Sequence, residues 1–282
     1  MPNRKAPTVR QRRLGTELRK LREHAGLSPA AAGQLIGTDR TNIVNVESGR
    51  SGVSGERARL WSAHYGSTDA AYIEALAAMA EERSSGWWEE YRGQLPAAAL
   101  DLAELESRAT ALRSVQIMHV PGLLQTEEYA SAVFEQAVPP LTPPGLRREL
   151  SYRLKRRDVL DRPGPPLCTF LVHEAALRMQ FGGPKVAKAQ LKRLLAQSER
   201  ENVTVRVIPF PSGFPNAGSS TLYASGVVPQ LDTVQIDTAQ GPGFVDAETR
   251  LENYRALLDR TESKSLDPDE SRDFIHNKAQ EI

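Results

Sequence analysis

One cysteine in 282 residues, Cys168, excludes a disulfide framework and a cysteine-based metal site. Set in the apolar stretch LCTFLV, it reads as a buried, inert thiol. Five histidines, His24, His64, His119, His173 and His276, are scattered without the spacing that puts two ligands on one helix face, so no metal site is expected. Long apolar runs are missing too, and with them any membrane-spanning helix. The basic N-terminal stretch MPNRKAPTVRQRR has no apolar segment behind it, so it does not read as a secretory signal and a cytoplasmic location is expected. The glycines of GFPNAGSS and QGPGF lack a phosphate-loop lysine and read as loops, and no serine sits in a G-x-S-x-G elbow. No 34-residue period suggests a helical-repeat sensor. No catalytic residue is assigned, no cofactor is called for, and the chain is not expected to be an enzyme.

What is present divides the chain in two. The length suggests two domains, placed at residues 1–83 and 84–282. Residues 1–60 hold 12 basic and 5 acidic side chains, net +7, whereas residues 61–282 hold 24 and 30, net −6. A basic head on an acidic body directs any polyanion to the head.

Leu14, Leu18 and Leu21 share one helix face, and Gly26 ends that helix. Ser28 is a good N-cap and Pro29 suits the first helical position, predicting a second helix to Ile36, closed by Gly37. Thr38 or Asp39 caps a third helix that stops at Gly49 and turns Ile43 and Val46 inward. Gly33 leaves room for two helices to cross closely, and Gly37 supplies the positive φ of a sharp turn. This is a helix-turn-helix pattern. Its outward residues, Arg40, Thr41, Asn42, Val44 and Asn45, face away from the core.

Over residues 10–66, LRKLREHAGLSPAAAGQLIGTDRTNIVNVESGRSGVSGERARLWSAHYG resembles the Xre/Cro-type helix-turn-helix family. The resemblance implies double-stranded DNA as partner, with an operator read by Arg40, Thr41, Val44 and Asn45. It places Ser28, Asn42 and Arg50 near phosphates and pairs Arg22 with Glu47. Arginine can fork onto guanine, asparagine onto adenine, and valine can touch a thymine methyl. Arg4, Lys5, Arg10, Arg12 and Arg13 form a basic N-terminal arm that could add phosphate contacts.

Two further helices, in SGERARLWSAHYG and TDAAYIEALAAMAEE, complete an all-α head of five helices. Beyond residue 100, helical and strand patterns alternate. A helix is expected over Leu102–Leu112, a strand at SVQIMHV, a loop at PPLTPPG and a helix at LRRELSYRLKRRDVLDR. Strands at PLCTFLV, VTVRVIPF, STLYASG and TVQIDT, with helices between and after them, define a larger α+β domain.

WWEEYRGQLP, VPGLLQTEEYA, HEAALR, VTVRVIPF, YRALLDR and DPDES resemble, in order, the C-terminal domain of a family of actinomycete helix-turn-helix regulators called Scr-type antitoxin-like. That resemblance implies a transcription regulator encoded beside a small companion protein. A homodimer reading two half-sites is expected, nucleoid-associated when bound, with a small-molecule effector or a companion acting on the C-terminal domain. Three readings stay open: a DNA-binding regulator, an antitoxin-like protein that binds its companion and autoregulates its operon, and an enzyme built on His173, Glu174 and Arg178. Phe170, Phe210, Phe214, Tyr223 and Phe244 could line a pocket in the second domain.

Overall fold

The computed structural model describes residues 7–82, 86–214, 219–238 and 241–282. The chain forms two compact units, Met1–Glu89 and Glu90–Ile282. Residues 83–85, where the sequence places a boundary, lie outside the described residues.

The first unit is helical: α1 (Val9–His24), α2 (Pro29–Ile36), α3 (Arg40–Glu47), α4 (Gly55–His64) and α5 (Ala70–Glu81). Each begins at a side chain that accepts a hydrogen bond from the first turn: Thr8, Ser28, Asp39, Ser54 and Asp69. Such caps satisfy backbone donors that a helix leaves unpaired, each contributing about 1 kcal/mol. Leu18, Ala32, Ile43, Ala58, Trp61 and Leu76 are almost fully buried between the helices. Beneath them Glu17 binds Arg13 Nε at 2.7 Å and accepts from the Tyr72 hydroxyl at 2.6 Å, which joins α1 to α5.

The basic arm needs correction. Arg10, Arg12 and Arg13 belong to α1, and Arg13 is buried. Arg10 donates to the Met79 and Glu82 carbonyls at 2.6 and 3.0 Å, where α5 ends and its last carbonyls lack helical partners. Arg4 and Lys5 lie outside the described residues.

The second unit is α+β, built on a mixed six-stranded sheet of order β3-β2-β1-β4-β5-β6. Its strands are β1 (Ala111–Gln116), β2 (Leu167–His173), β3 (Val203–Ile208), β4 (Thr221–Ser225), β5 (Thr233–Thr238) and β6 (Gly241–Val245). β1 runs parallel to β2, and β2 to β3; the β1–β4, β4–β5 and β5–β6 pairs are antiparallel. The helices are α6 (Ala97–Arg108), α7 (Glu127–Phe134), α8 (Pro143–Arg156), α9 (Glu174–Arg178), α10 (Pro184–Gln197), α11 (Glu248–Ser263) and α12 (Pro268–Glu281).

Both sheet faces are covered. Leu112, Phe170, Val172, Val205 and Leu222 point to one side, where they pack with Tyr129, Leu191, Leu194 and Ile275 from α7, α10 and α12. Val115, Leu171, Tyr223 and Val234 point to the other, against Leu251 and Leu258 of α11. Alternate residues of a strand face opposite sides, so a single strand feeds both cores. Full burial of such side chains stabilises by about 1.5–3 kcal/mol each. The last helix is tied to β3: Val207 N donates to Ser271 Oγ at 2.9 Å, and Arg206 Nε to the Leu266 carbonyl at 3.0 Å.

Three boundaries differ from the sequence expectation. The helix expected over Leu102–Leu112 is α6, which ends at Arg108; β1 starts at Ala111 and stops at Gln116, so IMHV is not strand. The second half of PPLTPPG is the first turn of α8, capped by Thr142, because proline costs nothing where no amide partner exists. QGPGF is no loop: its last residues form β6, which among the described residues pairs only with β5, and an edge strand tolerates Pro242.

Candidate nucleic-acid interface

Helices α2 and α3 meet across the turn Gly37–Asp39. Gly37 takes φ 72°, the left-handed region that a side chain disfavours, and its N–H closes onto the Gly33 carbonyl. A Cβ on Gly33 would lie 2.7 Å from the Thr38 carbonyl oxygen, so the turn can fold back only over glycine. Gly15, which sequence reading passed over, is tighter: its Cβ would meet the Glu47 and Val46 carbonyl oxygens at 2.4 and 2.5 Å. This is where α1 crosses the end of α3. An interior glycine in an otherwise good helix was the available signal.

Asp39 caps α3 by accepting from Asn42 N at 2.7 Å. Ile43 and Val46 are buried, at 0% and 3% exposure, and fix the helix on its inner side. Arg22 of α1 grips its far end: Nε and Nη2 bind Glu47 at 2.6 and 3.0 Å, and Nη1 donates to the Leu27 carbonyl at 2.7 Å. The fork-to-carboxylate geometry is the strongest form of this contact, and hydrogen bonding to Glu47 raises the Arg22 pKa. One guanidinium thus joins the end of α1, the approach to α2 and the end of α3.

What α3 leaves outside is a short polar face. Arg40, Thr41 and Val44 are exposed, Val44 unusually so for a large apolar residue, and Asn45 is half-buried. Arg50 is exposed just past Gly49, which takes φ 73°. Ser28 is exposed at the start of α2, with its hydroxyl accepting from Ala31 N at 3.2 Å. Asn42 is more confined, its amide donating to Thr38 Oγ1 at 2.9 Å. Chemically, the face offers a guanidinium, a hydroxyl, a methyl pair and an amide, each suited to a base edge or phosphate.

The second unit holds a different site. A partly enclosed cavity of about 350 Å³ lies between the sheet and helices α6 and α8. Its floor is polar: Ser114 on β1 and Gln235 on β5 are 3% and 5% exposed. Arg156 is held by Glu106 through a short bidentate pair. Arg153 gives Nη1 to Gln125 Oε1 at 2.7 Å and lies 4.7 Å from the Phe134 ring centre. Burial pulls the Arg153 pKa down to about 10 and also lowers that of His119, with Arg153 adding to the latter effect. The Glu149 carboxyl, on the same cavity wall, is pushed up by burial against the pull of its arginine neighbours.

The aromatic pocket expected from sequence does not form. Phe170 lines this cavity, and Phe244 shares its sheet face without lining it. Phe214 and Tyr223 lie on the opposite face, and Phe210 is half exposed beside the His173 ring. Five aromatics on strands and loops were read without their register, and register decides which face each one meets. The signal that was missed is the polar parity of SVQ and VQID, which places Ser114, Gln116, Gln235 and Asp237 on the cavity side of the sheet.

His173, Glu174 and Arg178 are close, but in supporting roles. His173 Nδ1 accepts from Ala175 N at 3.3 Å as the cap of α9. Glu174 binds Arg178 through Oε1 at 2.6 Å and accepts from Phe210 N through Oε2 at 2.9 Å. Among the described residues, no group of His, Cys, Asp or Glu side chains is arranged to hold a metal, and no helix is long and apolar enough to cross a membrane.

Two family models match separate parts of the chain. Residues 13–80 match the model described as a helix-turn-helix domain, which covers most of the first unit. Residues 99–277 match the model described as domain of unknown function DUF5753; covering more than half of the chain, this match shows that the protein belongs to that family. No curated protein and no solved structure matches it.

Proposed function

We propose that the protein is a sequence-specific transcription regulator that places α3 in the major groove of operator DNA. The observation that carries this reading is the division of labour on α3: Ile43, Val46 and Glu47 hold the helix, while Arg40, Thr41 and Val44 remain exposed on its outer side. In this reading Arg40, Thr41, Val44 and Asn45 read base edges, and Ser28, Asn42 and Arg50 approach the backbone. A single head contacts too little DNA for high specificity, so the working species is a homodimer on half-sites about one helical turn apart. The second domain sets dimer geometry and responds to an effector or a companion. It is not an enzyme: supporting this, His173 and Glu174 are spent on a helix cap and a strut. The ordered motifs of its sequence support kinship with the Scr-type antitoxin-like regulators.

Fluorescence anisotropy tests the reading, with a duplex from the gene's own upstream region and a scrambled duplex, at two salt concentrations. Expected is tighter binding to the upstream duplex by wild type, lost in Asn45→Ala while scrambled binding persists. Equal binding of both duplexes by both proteins would remove α3 from base recognition at that site.

A further inference from the structure

The cavity of the second unit contains two opposite charges that do not meet. Glu149 and Arg153 stand four residues apart on α8, the spacing at which a helix normally allows an ion pair. Both line the cavity, yet no bond joins them within the 4.0 Å of a salt bridge. Arg153 spends Nη1 on the neutral Gln125, and its buried Nε has no partner among the described residues. The Glu149 carboxyl accepts no hydrogen bond among the described residues, although burial disfavours its charge. The neighbouring Arg156–Glu106 pair is fully engaged, so it serves the fold and is not available to a ligand.

Both side chains are half-buried, and partly desolvating a guanidinium and a carboxylate without joining them is unfavourable until a counter-charge is supplied. The rest of the cavity has the features of a small-molecule site. Its volume, about 350 Å³, falls in the range of roughly 300–1,000 Å³ typical of ligand pockets. Phe170 and Leu222 supply an apolar floor beside the polar Ser114 and Gln235. Asp237, exposed on β5, adds a second carboxylate, and its Oδ1 accepts from Gln235 Nε2 at 2.8 Å.

We propose that this cavity binds a small zwitterion of the amino-acid class, with its carboxylate on Arg153 and its ammonium group on Glu149 and Asp237. A plain carboxylic acid would leave Glu149 without a partner, and a plain amine would leave Arg153 so. The proposal deepens the effector role suggested above and rests on that reading only for the consequence at the operator. Occupancy itself is a property of the cavity.

Thermal unfolding of the full chain tests it, with the standard amino acids, β-alanine and γ-aminobutyrate as probes at millimolar concentration. At least one should raise the melting temperature by roughly 5–10 °C at a hundredfold excess over its Kd. Its methyl ester and its deaminated acid should each lose that shift. Glu149→Gln and Arg153→Gln should weaken binding at least about tenfold by calorimetry, the loss expected for one charge-assisted hydrogen bond. Arg147→Gln, exposed on the same helix outside the cavity, should bind as wild type. If Arg153→Gln fails to fold, Arg153→Lys keeps the charge and removes the fork, and Glu149→Gln tests the other end independently. Failure of every probe, retention of the shift in both variants, or equal binding of the ester would overturn the proposal. Anisotropy with the operator duplex then separates the two levels: a probe that binds without altering DNA affinity overturns the effector role and leaves the cavity assignment standing.

Discussion

Replacing Glu47 by alanine probes what holds α3. Glu47 accepts two charge-assisted bonds from Arg22, at 2.6 and 3.0 Å, and both side chains are more than nine-tenths buried. Removing the carboxylate leaves the buried Arg22 guanidinium with the Leu27 carbonyl and the half-exposed Glu23 carboxylate 3.5 Å away. Breaking a buried pair in this one-sided way costs about 3–5 kcal/mol. A head of this size has about 4–11 kcal/mol in total, so the loss is a large share of its stability. Native-state hydrogen exchange on the full chain reads it locally: protection of the Ile43 and Val46 amides should fall roughly 10²- to 10⁴-fold, with the second unit unaffected. Arg22→Met combined with Glu47→Leu removes both charges and should recover to within about 2 kcal/mol of wild type. A Glu47→Ala loss below about 1 kcal/mol, or a double variant no better than the single, would refute the reasoning.

Arg40→Ala should cost about 1–3 kcal/mol at one base position and relax specificity there, seen by anisotropy on single-substituted duplexes; equal loss on every sequence would make Arg40 a phosphate contact instead. Gly15→Ala should destabilise the head by about 1–3 kcal/mol, because its Cβ would stand 2.4 Å from the Glu47 carbonyl oxygen, and the head's melting temperature should fall by at least about 5 °C. His119 has its pKa lowered by burial and then by Arg153, so the folded state prefers it neutral. Its contribution is complete above the ordinary value of about 6.5 and is lost as pH falls through the lower folded value. Urea midpoints at pH 7.5 and 5.5 should therefore converge in His119→Gln relative to wild type, a difference that isolates His119 from His173 and Glu149.

The head was legible almost residue by residue because its signals are local. Ser28, Pro29 and Gly37 each act on the backbone within one turn, and α2 runs between the residues they specify. Gly15 stood out in sequence only as an interior helix glycine, and its cause was not legible, since the constraint comes from a carbonyl thirty-two residues away. In the second unit, α+β character followed from alternating patterns, but boundaries slid where Ala-Leu-Arg-Ser continues a helical composition into β1. β6 escaped because its glycines and proline obey the rules of an edge, and edge position is set by the rest of the sheet. The cavity escaped for a related reason: a polar residue at every second position reads as a wet face until a helix is known to cover it.

The arrangement of α3 has a consequence for how such a protein can change over time. Positions that secure the helix, Ile43, Val46 and Glu47, share no residue with those that point outward, Arg40, Thr41 and Val44. Substitutions in the outward set cost little folding free energy, because those side chains have almost no neighbours to lose. If α3 reads DNA as proposed, a lineage can therefore exchange one target sequence for another through single steps that never threaten the scaffold, while the anchoring set stays under constant restraint. Retargeting and folding become separate traits, written on opposite sides of one eight-residue helix.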